Sequence, residues 1–186
     1  MAGELLFTIG HSTRSLDEFV TLLRQVDVAR IVDVRAFPRS RTNPQFNGDT
    51  LPDALAAKGI DYRHLRALGG RRHHRKGAPP SLNTYWRVVA FRSYADYAET
   101  DEFRAGLDAL RVLLRDARCA VMCAEALWWR CHRRIITDYM LAEGVRVEHI
   151  MGSGQVVAAT RTAGARVTAS GTLRYDGSEV AVRHGP

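Results

Sequence analysis

The sequence predicts an α/β fold: an open, mostly parallel sheet with helices on both faces, followed by a short C-terminal appendage. Three observations carry this expectation. The chain has 186 residues, 46% hydrophobic and 25% charged, the composition of one globular domain long enough to bury a real core. Its first 35 residues run strand, helix, strand, a βαβ unit with a parallel strand pair. The same alternation continues to about residue 150.

Each element has its own signal. Leu5–Ile9 is an apolar run closed by Gly10-His11-Ser12 and is expected as a buried first strand. Ser15-Leu16-Asp17-Glu18 is a capping box, followed by Phe19, Val20, Leu23 and Val26 at helical spacing. Residues 30–35 form a second strand. Residues 36–50, with two Pro and one Gly, form a long loop of the kind that carries function in compact domains. Pro52 opens a short helix that Gly59 stops, and Ile60–Leu65 is a third strand. Leu68-Gly69-Gly70 leads into a basic loop, Arg71-Arg72-His73-His74-Arg75-Lys76, closed by Pro79-Pro80. Helices are expected over roughly 86–100 and 101–116, a strand over 119–125, a helix over 131–143 and a last core strand over 145–150. After Met151, Gly, Ala, Thr and Arg dominate, so 152–186 is expected as an appendage, either a hairpin turning at Asp176-Gly177 or partly disordered. The pattern is Rossmann-like or flavodoxin-like, and in such sheets ligands bind beyond the carboxyl ends of the strands.

Charge points in the same direction. There are 27 basic against 20 acidic residues, a net charge of +7, with 25 Arg and two Lys. GC-rich coding accounts for the Arg to Lys ratio; the net charge favours anionic partners. There is no run of 18 apolar residues and no basic start followed by an apolar stretch, so neither a membrane span nor a signal peptide is expected. Three cysteines, at 119, 123 and 131, do not make a disulfide framework, and a reducing cytoplasm is the expected setting.

Titratable and phosphate-compatible groups gather where the strands should end. The first strand gives Gly10, His11 and Ser12, expected as substrate-binding: the glycine permits a sharp turn, and amides before a helix attract anions. The second gives Asp33 and Arg35, two residues apart on one face. They either pair with each other, or Asp33 handles a proton while Arg35 holds an anion. The fourth gives Cys123 and Glu125, with the same spacing, and Cys131-His132-Arg133 follows at a helix start, where a thiol pKa falls. Cys123 is either reactive or a core residue. The last strand brings His149. In the basic loop, Arg71, Arg72 and Arg75 are expected to meet phosphate, and Trp128 to stack on a base.

Three chemistries compete for this set. A cysteine-phosphatase loop fails by one residue, since six residues rather than five separate Cys123 from Arg130. Zinc held by Cys123, Cys131, His132 or His149 lacks a Cys-x-x-Cys, and adjacent Cys131 and His132 would leave a helix on different sides. No metal ligand and no cofactor is therefore assigned, with iron, haem and zinc left open as a Cys/His-based redox or metal module. General acid–base chemistry on a phosphate-bearing substrate fits best, with Glu125 and Asp33 handling protons and Cys123 and His132 assisting.

Thr8-Ile9-Gly10-His11-Ser12, Asp33-Val34-Arg35 with Pro38, Leu68-Gly69-Gly70, Cys123-Ala124-Glu125, Cys131-His132-Arg133 and His149-Ile150, in this order, resemble the family of unknown function DUF488. The resemblance spans roughly residues 5–151 and implies a compact α/β domain without an assigned reaction. Its motif residues coincide with the strand-end set. The expectation is an enzyme acting on a nucleic acid or nucleotide, a hydrolase or a lyase of the base-excision type. Its rivals are the metal or haem module and a nucleic-acid-binding module without catalysis. Oligomeric state is left open.

Overall fold

The computed structural model describes residues 4–73, 77 and 79–176. Six strands form one sheet in the order β3-β2-β4-β1-β5-β6. They are β1 (Leu5–Gly10), β2 (Arg30–Asp33), β3 (Asp61–His64), β4 (Cys119–Cys123), β5 (Arg146–Gly152) and β6 (Gln155–Ala158). The first five run parallel, and β6 turns back antiparallel on β5. The helices are α1 (Leu16–Arg24), α2 (Leu51–Ala56), α3 (Val89–Ala98), α4 (Asp101–Asp116) and α5 (Arg133–Ala142).

Strand side chains alternate between two separate cores. Phe7, Ile9, Ile31, Ala120 and Met122 pack under α1 and α2, through Phe19, Leu23, Leu51 and Leu55. Leu6, Val32, Cys119 and Val121 pack under α3, α4 and α5, through Tyr94, Phe103, Leu110 and Ile135. Burial on both faces explains why the strands read as continuous apolar runs rather than alternating ones. The α1 cap forms as its sequence dictates: the Ser15 hydroxyl accepts from the Glu18 amide, and the Glu18 carboxylate accepts from the Ser15 amide.

Several expected boundaries move. β2 stops at Asp33 rather than at 35, and β4 stops at Cys123 rather than at 125. Trp86 is buried ahead of α3, which begins three residues later at Val89. α5 begins at Arg133, because Cys131 is extended (φ −125°, ψ 149°) and closes a short 3-10 turn over Trp128–Arg130. The segment expected as an appendage contributes β6 to the main sheet. It then forms a small hairpin of β7 (Ala165–Val167) and β8 (Leu173–Tyr175), which turns between Val167 and Leu173. Leu173 and Tyr175 are fully buried in the core beside α3 and α5. Residues 177–186, with the far side of the hairpin expected at Asp176-Gly177, lie outside the described residues. Among the described residues, no helix is long and apolar enough to cross a membrane.

Candidate functional site

The connection from β1 crosses by α1 to one face of the sheet, and the connection from the adjacent β4 crosses by α5 to the other. The two connections thus leave adjacent strands for opposite faces of the sheet, the arrangement at which open α/β sheets bind ligands. A cavity of about 650 Å³ opens there, lined by the segments following β1, β2 and β4, by Gly70 and Arg71, and by the start of α3. His11, Ser12, Arg35, Arg71, Cys123, Glu125 and His132, all expected from the sequence, line it together.

The floor is built from backbone. The amides of His11 and Ser12 donate to the carbonyls of Cys123 and Ala124, both at 2.9 Å, and so extend the β1–β4 ladder. These N–H groups are occupied and do not cradle an anion. Ser12 is held in the left-handed region (φ 51°), an uncommon conformation that only surrounding contacts sustain. Gly10 is required by proximity: a Cβ there would lie 2.0 Å from the Glu125 carbonyl oxygen.

Behind the floor, Asp33 and Arg35 pair with each other. Asp33 is fully buried and accepts from Arg35 N (3.0 Å), Arg35 Nε (2.9 Å) and the Tyr62 hydroxyl (2.7 Å). The Arg35 guanidinium also donates to the Phe46 carbonyl and, through Nη1, to His11 Nε2 at 3.2 Å. His11 Nδ1–H donates to the Ser12 carbonyl, which fixes the tautomer, and the ring stacks on Phe46 at 4.3 Å. Burial, helped by the Arg35 charge, brings the His11 pKa down to about 4, so this ring is neutral. Asp33 and His11 thus aim Arg35 at the cavity; Asp33 itself does not line it.

A cluster of two cysteines and a histidine sits where β4 meets the turn before α5. The Cys123 Sγ lies 3.9 Å and the Cys131 Sγ 3.6 Å from His132 Nδ1. The expectation that adjacent Cys131 and His132 diverge is overturned, because Cys131 is extended and His132 is the residue preceding α5. His132 Nε2–H donates to the Val34 carbonyl at 2.9 Å, which leaves the Nδ1 lone pair facing both sulfurs. Arg133 is 1% exposed, donates through Nε to Cys131 Sγ at 3.4 Å and holds the Glu125 carbonyl through Nη2. Among the described residues it makes no ion pair with a carboxylate. Burial opposes ionisation of Cys131, but the Cys123 S–H, the His132 ring and Arg133 outweigh it and carry its pKa well below the usual thiol value. The hydrogen bond given to Cys131, together with burial, raises Cys123 well above that value.

Glu125 is exposed at the mouth and accepts from the Leu127 amide at 3.2 Å. Among the described lining residues it is the only carboxylate, against four arginines: Arg35, Arg39, Arg71 and Arg130.

Other expected residues point elsewhere. Arg72 donates to the Gly69 and Arg66 carbonyls and lies 3.6 Å over the Tyr97 ring, so it fastens its loop to α3 and α4. One face of Trp128 is taken by His149, stacked at 4.2 Å; His149 Nδ1 is bonded to the Thr8 hydroxyl, and neither residue joins the cysteine cluster. Arg75 lies outside the described residues. Arg130 and Phe37 line the cavity without a sequence signal of their own. Arg130 follows two tryptophans in a turn, and Phe37, 61% exposed, lies in the long loop already marked by its length.

A family model described as "Domain of unknown function DUF488" matches residues 15–140. No curated protein and no solved structure matches the chain. The match covers more than half of the chain and encloses the second-strand, Gly-Gly, Cys-x-Glu and Cys-His-Arg motifs, so the protein belongs to the DUF488 family.

Proposed function

We propose that the protein is an enzyme of a reducing cytoplasm that holds a nucleotide or a nucleic-acid segment by its phosphate in the strand-end cavity. It acts there by hydrolysis or by lyase-type proton transfer. The observation that carries this reading is the lining: among the described residues, four arginines and one carboxylate line a crevice of about 650 Å³. Arg71 and Arg130 are exposed and make no side-chain hydrogen bond or ion pair to described residues, so their donors are available for phosphate oxygens. Arg35, already aimed by Asp33 and His11, presents its remaining Nη1 hydrogen from below. The Phe37 ring at the rim, exposed and with the Arg66 guanidinium 5.9 Å from its centroid over one face, suits stacking of a base on the other.

In this reading Glu125, exposed at the mouth of the cavity, gives or takes the proton on such a substrate. Arg133 acts as a positioning residue by holding the Glu125 carbonyl. Glu125→Gln keeps the shape and removes the titrating group. On a nucleotide or oligonucleotide that the wild type turns over, this variant should lose about 10²- to 10⁴-fold in kcat with binding retained. Arg71→Ala and Arg130→Ala should weaken binding and flatten its dependence on salt. An unchanged kcat for Glu125→Gln sinks the catalytic assignment. Binding without product identifies a binding module instead, and no binding of mononucleotides, DNA or RNA at low salt sinks the substrate class.

A further inference from the structure

The geometry points to a zinc site made by Cys123 Sγ, Cys131 Sγ and His132 Nδ1, with its fourth coordination position open to the cavity. The site is independent of the nucleotide reading. The three ligand atoms lie within 4.8 Å of one another. Around a tetrahedral zinc with Zn–S of about 2.3 Å and Zn–N of about 2.0–2.1 Å, the edges come to about 3.6 Å for S to N and about 3.8 Å for S to S. The two sulfur-to-nitrogen edges here are 3.9 and 3.6 Å, within a few tenths of an ångström of that length, and the sulfur-to-sulfur edge is no longer than 4.8 Å.

Outer contacts are those that a metal site requires. The His132 Nε2–H is fixed on the Val34 carbonyl, which commits Nδ1 to the acceptor role and sets the ring's angle. Arg133 Nε donates to the Cys131 sulfur. Gly70 packs on the face of the imidazole: a Cβ there would be 2.3 Å from Nδ1 and nearly as close to Cγ and Cε1, at 2.6 and 2.7 Å. That position is above the ring plane, clear of the in-plane lone pair. Only a residue without a side chain fits there and leaves the ring undisplaced.

The donor set selects the ion. Two thiolates and one imidazole suit a thiophilic cation and disfavour magnesium or calcium. Two thiolate charges balance a divalent ion, so the half-buried site closes neutral. All three ligand residues line the cavity, and three protein ligands with one open position are the pattern of catalytic rather than structural zinc.

The full-length chain, prepared from zinc-supplemented cells, should carry one zinc per chain by elemental analysis. Exchange for cobalt should give thiolate-to-metal charge-transfer absorption. Cys123→Ser, Cys131→Ser and His132→Gln should each lower the affinity at least tenfold, measured by competition with a chromophoric chelator. Cys119→Ser, which alters a buried strand cysteine outside the cluster, should bind as the wild type does. Should the cluster variants fail to fold, the wild-type stoichiometry and cobalt spectrum decide alone. A wild-type chain that takes up neither zinc nor cobalt, a cobalt spectrum without thiolate bands, or loss of binding in Cys119→Ser overturns the site. None of these readouts uses a substrate, so they stand apart from the test of Glu125.

Discussion

Gly10 carries the geometry of the site more directly than any charged residue. Parallel pairing sets Gly10 opposite Cys123, and the chain leaving β4 folds back so closely that the Glu125 carbonyl occupies the space of a Cβ. Gly10→Ala must push that loop outward and with it Glu125, which Arg133 ties down from the other side. Overpacking of this kind costs about 1–3 kcal/mol. The expected outcome is a lower urea midpoint for Gly10→Ala together with a loss of ligand binding larger than the stability loss explains. Wild-type midpoint and binding in that variant would refute the account. The sequence marked Gly10, but for a turn and an anion cradle; the contact that requires it joins residues 115 positions apart, and no local pattern registers that. The fate of Asp33 is similar. The choice between pairing and catalysis was open in the sequence because the third partner, Tyr62, arrives from β3.

The elements that hold the site were legible to different degrees. The capping box of α1, the five helices and the parallel strands follow from periodicity and cap chemistry, which are local. The extended Cys131, which lets two adjacent residues converge on one point, depends on the 3-10 turn before α5, and three residues carry too weak a signal to reveal it. The C-terminal hairpin was misplaced for a related reason. β7 and β8 are three residues each, and what holds them is tertiary. Asp138 on α5 accepts from the Thr162 amide at 2.8 Å and from the Tyr175 hydroxyl at 3.0 Å, and burial raises its pKa. Tyr175→Phe keeps the packed ring but strands a buried carboxylate oxygen. The expected cost is about 1–3 kcal/mol in denaturant unfolding, with the fold unchanged by circular dichroism. A neutral result would mean that the hairpin is held by apolar packing alone.

At the scale of the whole molecule, two buried histidines link the sheet to pH. His11 at the end of β1 and His149 in the adjacent β5 are each 1% exposed. Burial is the largest cause and a neighbouring arginine adds to it, Arg35 for His11 and Arg133 for His149, outweighing the opposing hydrogen bond of His11 to the Ser12 carbonyl. Between them these lower each ring from 6.5 to about 4. In the unfolded chain both rings take up protons near pH 6.5; in the folded chain both stay neutral to about pH 4. The unfolded state therefore binds more protons across this window, and stability rises with pH through it. Read downward, stability present at pH 7 is lost progressively as pH falls from about 6.5 towards 4, at up to about 3 kcal/mol per histidine. Most carboxylates titrate below pH 5, so the interval from 7 to 5 reports chiefly the histidines and the Cys131 thiol, which a histidine variant separates. The urea midpoint of the wild type should drop between pH 7 and pH 5. In His149→Gln, which keeps a polar contact for Thr8 but cannot titrate, the drop should shrink by the share of His149. A midpoint that is flat from pH 7 to 5, or an equal drop in the variant, would show that these rings are protonated within the fold. The β1–β5 pairing would then have to accommodate charge beside Arg133.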